Sequence, residues 1–399
     1  MSSAHDEYTD FLFAGGGLAG LSLACQIETA FPSRFQMLVA DKERKNSNDR
    51  TWCFWEKEDN PYQDVVLRQW DHLKVEGPGW QRILNIHPYQ YKMIRSRDLY
   101  DYIHRKLEGK PNIRFVYGDI SELKDLEDGA QLKIDGISHR SKWLFNSAIR
   151  PTVPLNHPRS LLQHFKGYFL TSDRDVFDPG IPVFMDFRVE QGNDVRFVYV
   201  IPFDRRRALA EYTVFSPTIW SENAYDEQLQ HYLDSILKIG PYHIEEEEFG
   251  VIPMTDYPFP FRTGKHILHT GTAGGLTKAS TGYTFVNVMR MNRRIIEAIS
   301  LHNQPIPVAR RWHFRYGLYD SILLDVLCKN RYSGQDIFKL MFNKTAPDKI
   351  MAFLGEESHF PDELRMFATF PQLPFIQGFL NVMNARMTSS VHSVFSRSA

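Results

Sequence analysis

Asp10-Phe-Leu-Phe-Ala-Gly15-Gly-Gly17-Leu-Ala-Gly20-Leu-Ser-Leu-Ala24 decides the fold. Its apolar start reads as a strand, its glycines as a tight turn, and Leu18 onward as a helix. Gly15, Gly17 and Gly20 take the G-x-G-x-x-G spacing. Such a turn lets backbone approach a pyrophosphate at a helix N-terminus, where free N–H groups and the helix dipole favour negative charge. The next apolar run, Phe35 to Ala40, ends at Asp41, 21 residues beyond Gly20. A carboxylate there is placed to accept hydrogen bonds from a ribose. The three signals together predict a Rossmann-type dinucleotide site rather than a glycine-rich turn of some other α/β protein.

A second glycine-rich stretch lies far along the chain: Leu268-His-Thr-Gly271-Thr-Ala-Gly274-Gly275-Leu-Thr-Lys-Ala-Ser-Thr281-Gly282-Tyr283-Thr-Phe285. It follows a short strand, Ile267 to Thr270, and precedes a helix predicted over Tyr283 to Ile299. Its glycines at 271, 274, 275 and 282 bring backbone close to a ligand. A late return to the nucleotide domain suits a long ligand such as FAD. A nicotinamide-only site predicts no such return.

Composition narrows the classes. With 399 residues the chain can hold two or three domains and a large core. A net charge of −1 excludes the basic excess of a nucleic-acid binder. Aromatics make up 14% of residues, which suits a large apolar ligand or a membrane surface, although a bulky core could absorb them too. Cys25, Cys53 and Cys328 are scattered, with no metal-ligand spacing and no disulfide framework, as in a reducing compartment. The uncharged run Phe11 to Ile27 reads as strand and helix start rather than as a leader peptide. No segment reaches the ~18 apolar residues of a spanning helix.

The pattern predicts an α/β protein: a Rossmann-type FAD-binding domain interleaved with an antiparallel-sheet substrate domain, then a helical C-terminal region. The expected division is 1–150 for the first part of the nucleotide domain, 151–254 for the sheet, 255–304 for the return segment and 305–399 for the helices. Residues 42–95, rich in Asn, Trp and Tyr, read as irregular. A helix is expected over Arg97 to Leu107, with Ser96 as N-cap. Strands are expected at Ile113 to Tyr117, Gln131 to Ile134 and Ser141 to Phe145. Around Pro151 the character changes to period-2 alternation. The clearest hairpin joins Arg196–Phe203 to Ala208–Phe215. From Val308 the chain reads as helical, with breaks at Gly334, Pro347, Pro361, Pro371 and Pro374.

On the strand 208–215, Leu209, Glu211, Thr213 and Phe215 share one face. Glu211 is then a carboxylate among apolar neighbours, where desolvation would hold a proton on it near neutral pH. A general acid for an unreactive substrate needs that, but an exposed glutamate on an outer face fits the pattern equally. Asp186, in Val183-Phe-Met-Asp-Phe-Arg188, has three open roles: an ion pair with Arg188, a pair with another arginine, or a place in the catalytic site. Pairing ranks first. Arg97 opens a helix and serves either the cofactor or the solvent. Arg50-Thr-Trp52-Cys-Phe54-Trp55-Glu56 offers a π-rich wall able to stabilise a cation, or simply aromatics for a core. In the tail, Phe375, Ile376, Phe379, Leu380 and Met383 recur at helical spacing, either facing a bilayer or packed on the domain.

These motifs resemble the flavin-dependent lycopene β-cyclases of carotenoid-making bacteria, and the resemblance runs over nearly the whole chain. Met185-Asp-Phe-Arg188, Ala208-Leu-Ala-Glu211-Tyr-Thr213 and Ser280-Thr-Gly-Tyr-Thr284 carry it most specifically. The family's essential acid is the first glutamate of a Phe-Leu-Glu-Glu-Thr motif, which falls on Glu211. This chain departs from the motif with Leu209, Ala210 and Tyr212. It also has Ala279 where a proline is common, and Gly271-Thr272 where flavin hydroxylases carry Gly-Asp. The resemblance implies that Trp52, Phe54, Trp55 and Glu56 form the end-group pocket, with Tyr283 beside them, and that Glu211 and Asp186 are the catalytic candidates. It also implies reduced FAD with NADPH as reductant, and lycopene or other acyclic carotenoid ends as substrate. The reaction would be a non-redox isomerisation to β-ionone rings by a cytoplasmic protein held peripherally on the membrane. Two rival readings remain: a redox flavoenzyme of the same fold, such as a hydroxylase or isoprenoid reductase, and a non-catalytic carotenoid or FAD binder.

Overall fold

The computed structural model describes residues 8–149, 153, 157–307 and 313–395. The expected change at Pro151 and the expected start of the helical tail at Val308 lie outside the described residues. In chain order, β1 (Thr9–Ala14), α1 (Leu18–Ala30) and β2 (Met37–Asp41) form the expected β-α-β unit. Five strands follow: β3 (Thr51–Glu56), β4 (Arg68–Trp70), β5 (His72–Gly77), β6 (Trp80–Asn85) and β7 (Gln90–Arg95). Then come α2 (Ser96–Leu107), β8 (Ile113–Tyr117), β9 (Ile120–Asp125), β10 (Ala130–Ile134) and β11 (Ile137–Asn146). The second half begins with β12 (Ser160–Ser172), β13 (Val183–Asp186), β14 (Val195–Pro202) and β15 (Arg207–Ser216). It continues through α3 (Glu222–His231), β16 (Tyr242–Thr255), β17 (Arg262–Thr263), β18 (Ile267–His269) and α4 (Phe285–His302). The rest is helical: α5 (His313–Cys328), α6 (Gly334–Lys344), α7 (Pro347–Leu354), α8 (Phe360–Phe367) and α9 (Gln372–Phe395).

The nucleotide domain is an eight-stranded sheet with a parallel core, β18-β11-β1-β2-β8. Such sheets need cover on both faces, which is why β1 lacks a polar face. Phe11 and Phe13 pack under the helices, while Leu12 and Ala14 meet Ala130, Leu132 and Ile134 from the β9–β10 ribbon. α1 is buried almost all round, because the sheet lies on one side and α2 and α4 on others. The return segment joins this sheet through β18, which pairs with β11 in parallel.

The second sheet has seven strands in the order β16-β12-β15-β14-β13-β5-β6. It is antiparallel except between β13 and β5. Two expectations are corrected here. Residues 42–95 are not irregular, and β5 and β6 belong to the second sheet although they precede residue 150. β3 and β7 pair with each other; β7 is buried on both faces and β3 is half-buried along most of its length, so neither shows a clean alternation to read. On β15 the alternation works out in three dimensions. Ala208, Ala210, Tyr212 and Val214 pack under α3, while Leu209 and Phe215 enter a core shared with α6 and α7.

The predicted breaks fall where helices begin, not inside them. Ser333 accepts from the N–H of Asp336 and so caps α6 ahead of Gly334. Pro347 and Pro361 occupy first-turn positions, where a missing N–H costs nothing. Among the described residues, no helix is long and apolar enough to cross a membrane.

Candidate active site

A cavity of about 480 Å³ runs from the first glycine turn to the inner face of the second sheet. At one end are Gly15, Gly17 and Asp41; at the other is Glu211, with Gly271, Gly282 and Tyr283 between.

The nucleotide end follows from the first turn. Gly15 has a φ of +115°, and a side chain there would also meet Ser147 Oγ at 2.3 Å. A Cβ on Gly20 would lie 1.9 Å from the carbonyl oxygen of Gly15, so this glycine lets α1 close on the turn and lies behind the cavity. Gly17 differs: its Cβ would meet nothing within 4 Å, because the cavity lies in front of it. It is also the N-cap of α1 and offers no side-chain cap, so first-turn N–H groups are left for a ligand. Asp41 Oδ2 accepts from the N–H of Gly16 at 2.6 Å, which fixes the carboxylate at the end of β2.

The second glycine turn forms a short 3₁₀ helix, Gly271–Gly274. Gly271 lines the cavity; Gly274 and Gly275 shape the turn without lining it. A tie of buried charge anchors the following segment. Lys278 Nζ donates to Asp320 at 2.8 Å and to Glu356 at 3.0 Å, and the hydroxyl of Ser280 donates to Asp320 at 2.7 Å. The turn then presents Gly282 at a φ of +74°, where a Cβ would strike Gln163 Oε1 at 2.4 Å. Gln163 Oε1 and Thr281 Oγ1 are buried, have no hydrogen-bond partner among the described residues and belong to residues that line the cavity. Unpaired polar atoms around a cavity with an uncapped helix start fit a polar, phosphate-bearing ligand.

At the other end Glu211 stands on β15 among apolar walls. The hydroxyl of Thr213 donates to Glu211 Oε1 at 2.9 Å. Burial, and then the negative charge of Glu248, push its carboxyl up to about 8. The glutamate therefore faces the cavity as an acid that keeps its proton at neutral pH, and the exposed outer-face alternative is not what the fold contains. Tyr199, directly across from Glu211 on β14, brings its hydroxyl within 3.4 Å of that of Tyr283. Burial raises both phenols and the Cys53 thiol, so all three stay neutral.

Several expected site residues lie elsewhere. Asp186 is fully buried and faces away from the cavity. It accepts from Arg188 Nε at 2.9 Å and from the hydroxyl of Tyr232 at 2.6 Å, so its carboxylate is committed to an ion pair. Arg97 points to solvent, with its side chain 59% exposed and 3.7 Å from Asp101. Of the expected pocket residues in this segment only Trp52 lines the cavity, together with Arg50, Thr51 and Cys53. Phe54 stacks on Phe285 at 4.1 Å beneath the nucleotide domain. Trp55 lies one layer back, edge-on to Tyr283 at 4.6 Å, and donates its indole N–H to the Met351 carbonyl. Glu56 accepts from Lys92 at 3.0 Å and from Asn60 at 2.6 Å, away from the cavity.

The sequence reading missed Tyr199, Gln163 and Thr281. The 196–215 hairpin register already sets Tyr199 opposite Glu211, so that signal was present. Gln163 had none, because its position depends on pairing across the sheet. Among the described residues, no group of three or more His, Cys, Asp or Glu is arranged to hold a metal.

A profile of the lycopene cyclase protein family matches residues 10–379. A lycopene beta-cyclase of Pseudescherichia vulneris is 23% identical over 402 residues, covering 94% of this chain and 97% of its own. The lycopene beta-cyclase of Pantoea ananas is 22% identical and covers 94% and 98%. Among solved structures, a geranylgeranyl bacteriochlorophyll reductase-like protein from Thermoplasma acidophilum superposes with a TM-score of 0.63 at 12% identity. It covers 91% of this chain and 100% of that one, and the likeness is one of fold.

Proposed function

The chain belongs to the lycopene cyclase protein family, and on that premise we propose that it is an FAD-dependent lycopene β-cyclase. It converts the linear ends of lycopene into β-ionone rings, giving γ-carotene and then β-carotene. The observation that carries this reading is the Glu211 carboxyl, raised by burial, facing a cavity that also reaches the first glycine turn.

Glu211 donates its proton to the terminal double bond of the substrate. An alkene is a very weak base, so the acid must be desolvated, aimed and protonated, all of which the site supports. The tertiary cation is attacked by the neighbouring double bond and the six-membered ring closes. The carboxylate left on Glu211 opposes the cation and is placed to take back a ring proton, so substrate and product are isomers. Trp52 and Tyr283 turn π-electrons toward the same space, which favours a cation.

Gly15, Gly17 and Asp41 would hold the nucleotide portion of FAD, with Gly271 and Gly282 nearer its ring system. Bound there and reduced, with NADPH as electron source, FAD would supply negative charge that favours a cationic intermediate. The substrate resides in a bilayer, so the protein works on the cytoplasmic membrane surface. The exposed Leu373, Ile376, Phe379 and Leu380 of α9 support that placement.

The test is to incubate the purified protein with FAD, excess NADPH and lycopene in liposomes under anaerobic conditions. β-Carotene should form without NADPH consumption in proportion to product. Stoichiometric NADPH use with a reduced or hydroxylated carotenoid would favour the redox flavoenzyme, and FAD or lycopene binding without a product would favour the non-catalytic binder.

A further inference from the structure

Four residues stand abreast on the face of the second sheet that carries the cavity. Tyr199 on β14 is paired with Glu211 on β15, Glu211 with Gly167 on β12, and Gly167 with Glu248 on β16. Residues directly paired in an antiparallel sheet project to the same side. Glu211 and Glu248 therefore point the same way from strands two apart, about 10 Å between backbones. Gly167 puts no side chain between them. A Cβ there would lie 2.9 Å from Leu209 Cδ1 and 3.4 Å from the Cβ of Glu211.

The two carboxyls have unequal surroundings. Glu248 is buried behind the cavity, and Thr51 clamps both its oxygens: the backbone N–H donates at 3.0 Å and the hydroxyl at 2.5 Å. Arg50 and Arg95 also act on it, Arg95 while bonded to Glu246 at 2.6 Å. Burial, the largest effect, raises its carboxyl above the usual glutamate value, and the Thr51 donors and the two cations restrain that rise. Glu211 is given only the Thr213 hydroxyl among the described residues. The titratable groups acting with it are Glu248 and the neutral Cys53, Tyr199 and Tyr283. Paired carboxyls in unequal environments ionise in order, and the better-solvated anion goes first.

We propose that Glu248 is a positioning residue for the acid: clamped to Thr51 as an anion, it keeps the proton on Glu211 across the gap that Gly167 leaves open. Glu248 does not line the cavity and is not a proton donor to substrate. The same clamp fixes β3, and with it Trp52, against the substrate sheet. The proposal rests on Glu211 being the acid of the reaction above.

The experiment titrates Glu211 directly in the FAD-loaded protein without substrate, by infrared difference spectroscopy with Glu211→Gln as the blank. Glu248→Gln keeps an acceptor for Thr51 and removes the charge. Its Glu211 midpoint should fall by roughly one pH unit, the size expected for a charge at this separation. The alkaline limb of β-carotene formation should move down equally, with FAD content and lycopene KM unchanged. Glu248→Asp keeps the charge and should hold the midpoint near wild type. If Glu248→Gln does not fold, Thr51→Val should shift the midpoint in the same direction by weakening the anion. An unmoved midpoint in the charge-removing variant, or an equal fall in Glu248→Asp, overturns the proposal. A midpoint that moves in a protein making no cyclic carotenoid leaves the coupling standing and fails the reaction reading instead.

Discussion

In the proposed reaction Glu211 concentrates the chemistry in one ionisable group, and its proton sets two measurable pH dependences. Activity needs the protonated form, so turnover should be flat below neutrality and decline as pH rises through about 8. Glu211→Gln keeps size and hydrogen bonding but has no transferable proton. It should bind FAD normally and lose cyclisation by ~10²-fold or more, measured by product chromatography. Near-normal product from this variant would move the acid elsewhere. Stability falls with rising pH as well, but over a lower window. Below the usual glutamate value of 4.5 the carboxyl is neutral in both folded and unfolded chains. Between there and about 8 the unfolded chain releases the proton while the folded chain keeps it, so stability falls as pH rises across that window. Glu211→Gln should remove a slope of up to ~1.4 kcal/mol per pH unit, read by urea unfolding at several pH values. Identical slopes in the two proteins would mean that the carboxyl is not desolvated.

The element that makes the proposed flavin site is the β1 turn and the start of α1, where two glycines serve different ends. Gly20 has its neighbour's carbonyl where a side chain would go, so Gly20→Val should lower unfolding stability itself. Gly17 has open space in front of it, and only a ligand would meet a side chain there. Gly17→Val should fold as well as wild type and yet lose FAD affinity by ~10²-fold, measured by flavin fluorescence and thermal unfolding of the apoprotein. Full flavin content in this variant would place the nucleotide elsewhere. The second turn relies on a different device, since buried Lys278, Asp320 and Glu356 tie it to the helical region.

On the scale of the whole molecule, the helical region both closes the substrate core and carries the exposed apolar surface. α9 shows how it does both. Phe375 turns inward and stacks on Phe370 at 5.2 Å, and Met383 is half-buried. Leu373 is 67% exposed, Ile376 51% and Leu380 54%, with Phe379 also exposed. The single row expected from helical spacing is thus divided between core and solvent. Ile376→Asp with Phe379→Asp should lower liposome binding, read by flotation, and leave the unfolding midpoint unchanged. Phe375→Asp should destabilise the fold instead, by roughly 2 kcal/mol or more. Undiminished liposome binding in the double variant would assign membrane contact to another surface.

The sequence by itself determined what short-range rules encode. The first turn, Asp41 at the end of β2, the 196–215 hairpin and the face of Glu211 all follow from local spacing, because glycine conformations and strand alternation act within a few residues. The late glycine turn announced the return to the first sheet for the same reason. Only the tertiary structure decided what lies beside what. Asp186 ranks first as an ion-pair residue with a catalytic role still open, and only the fold shows Arg188 and Tyr232 occupying it. Phe54, Trp55 and Glu56 sit in one motif with Trp52, yet only Trp52 of these four reaches the cavity, because the cavity meets β3 at its Thr51–Cys53 end alone. Glu248 lies 37 positions from Glu211 in the chain and meets it through pairing on both sides of β12. Burial and charge coupling are properties of neighbours brought together across the sheet, so the proton on Glu211 had to wait for the fold.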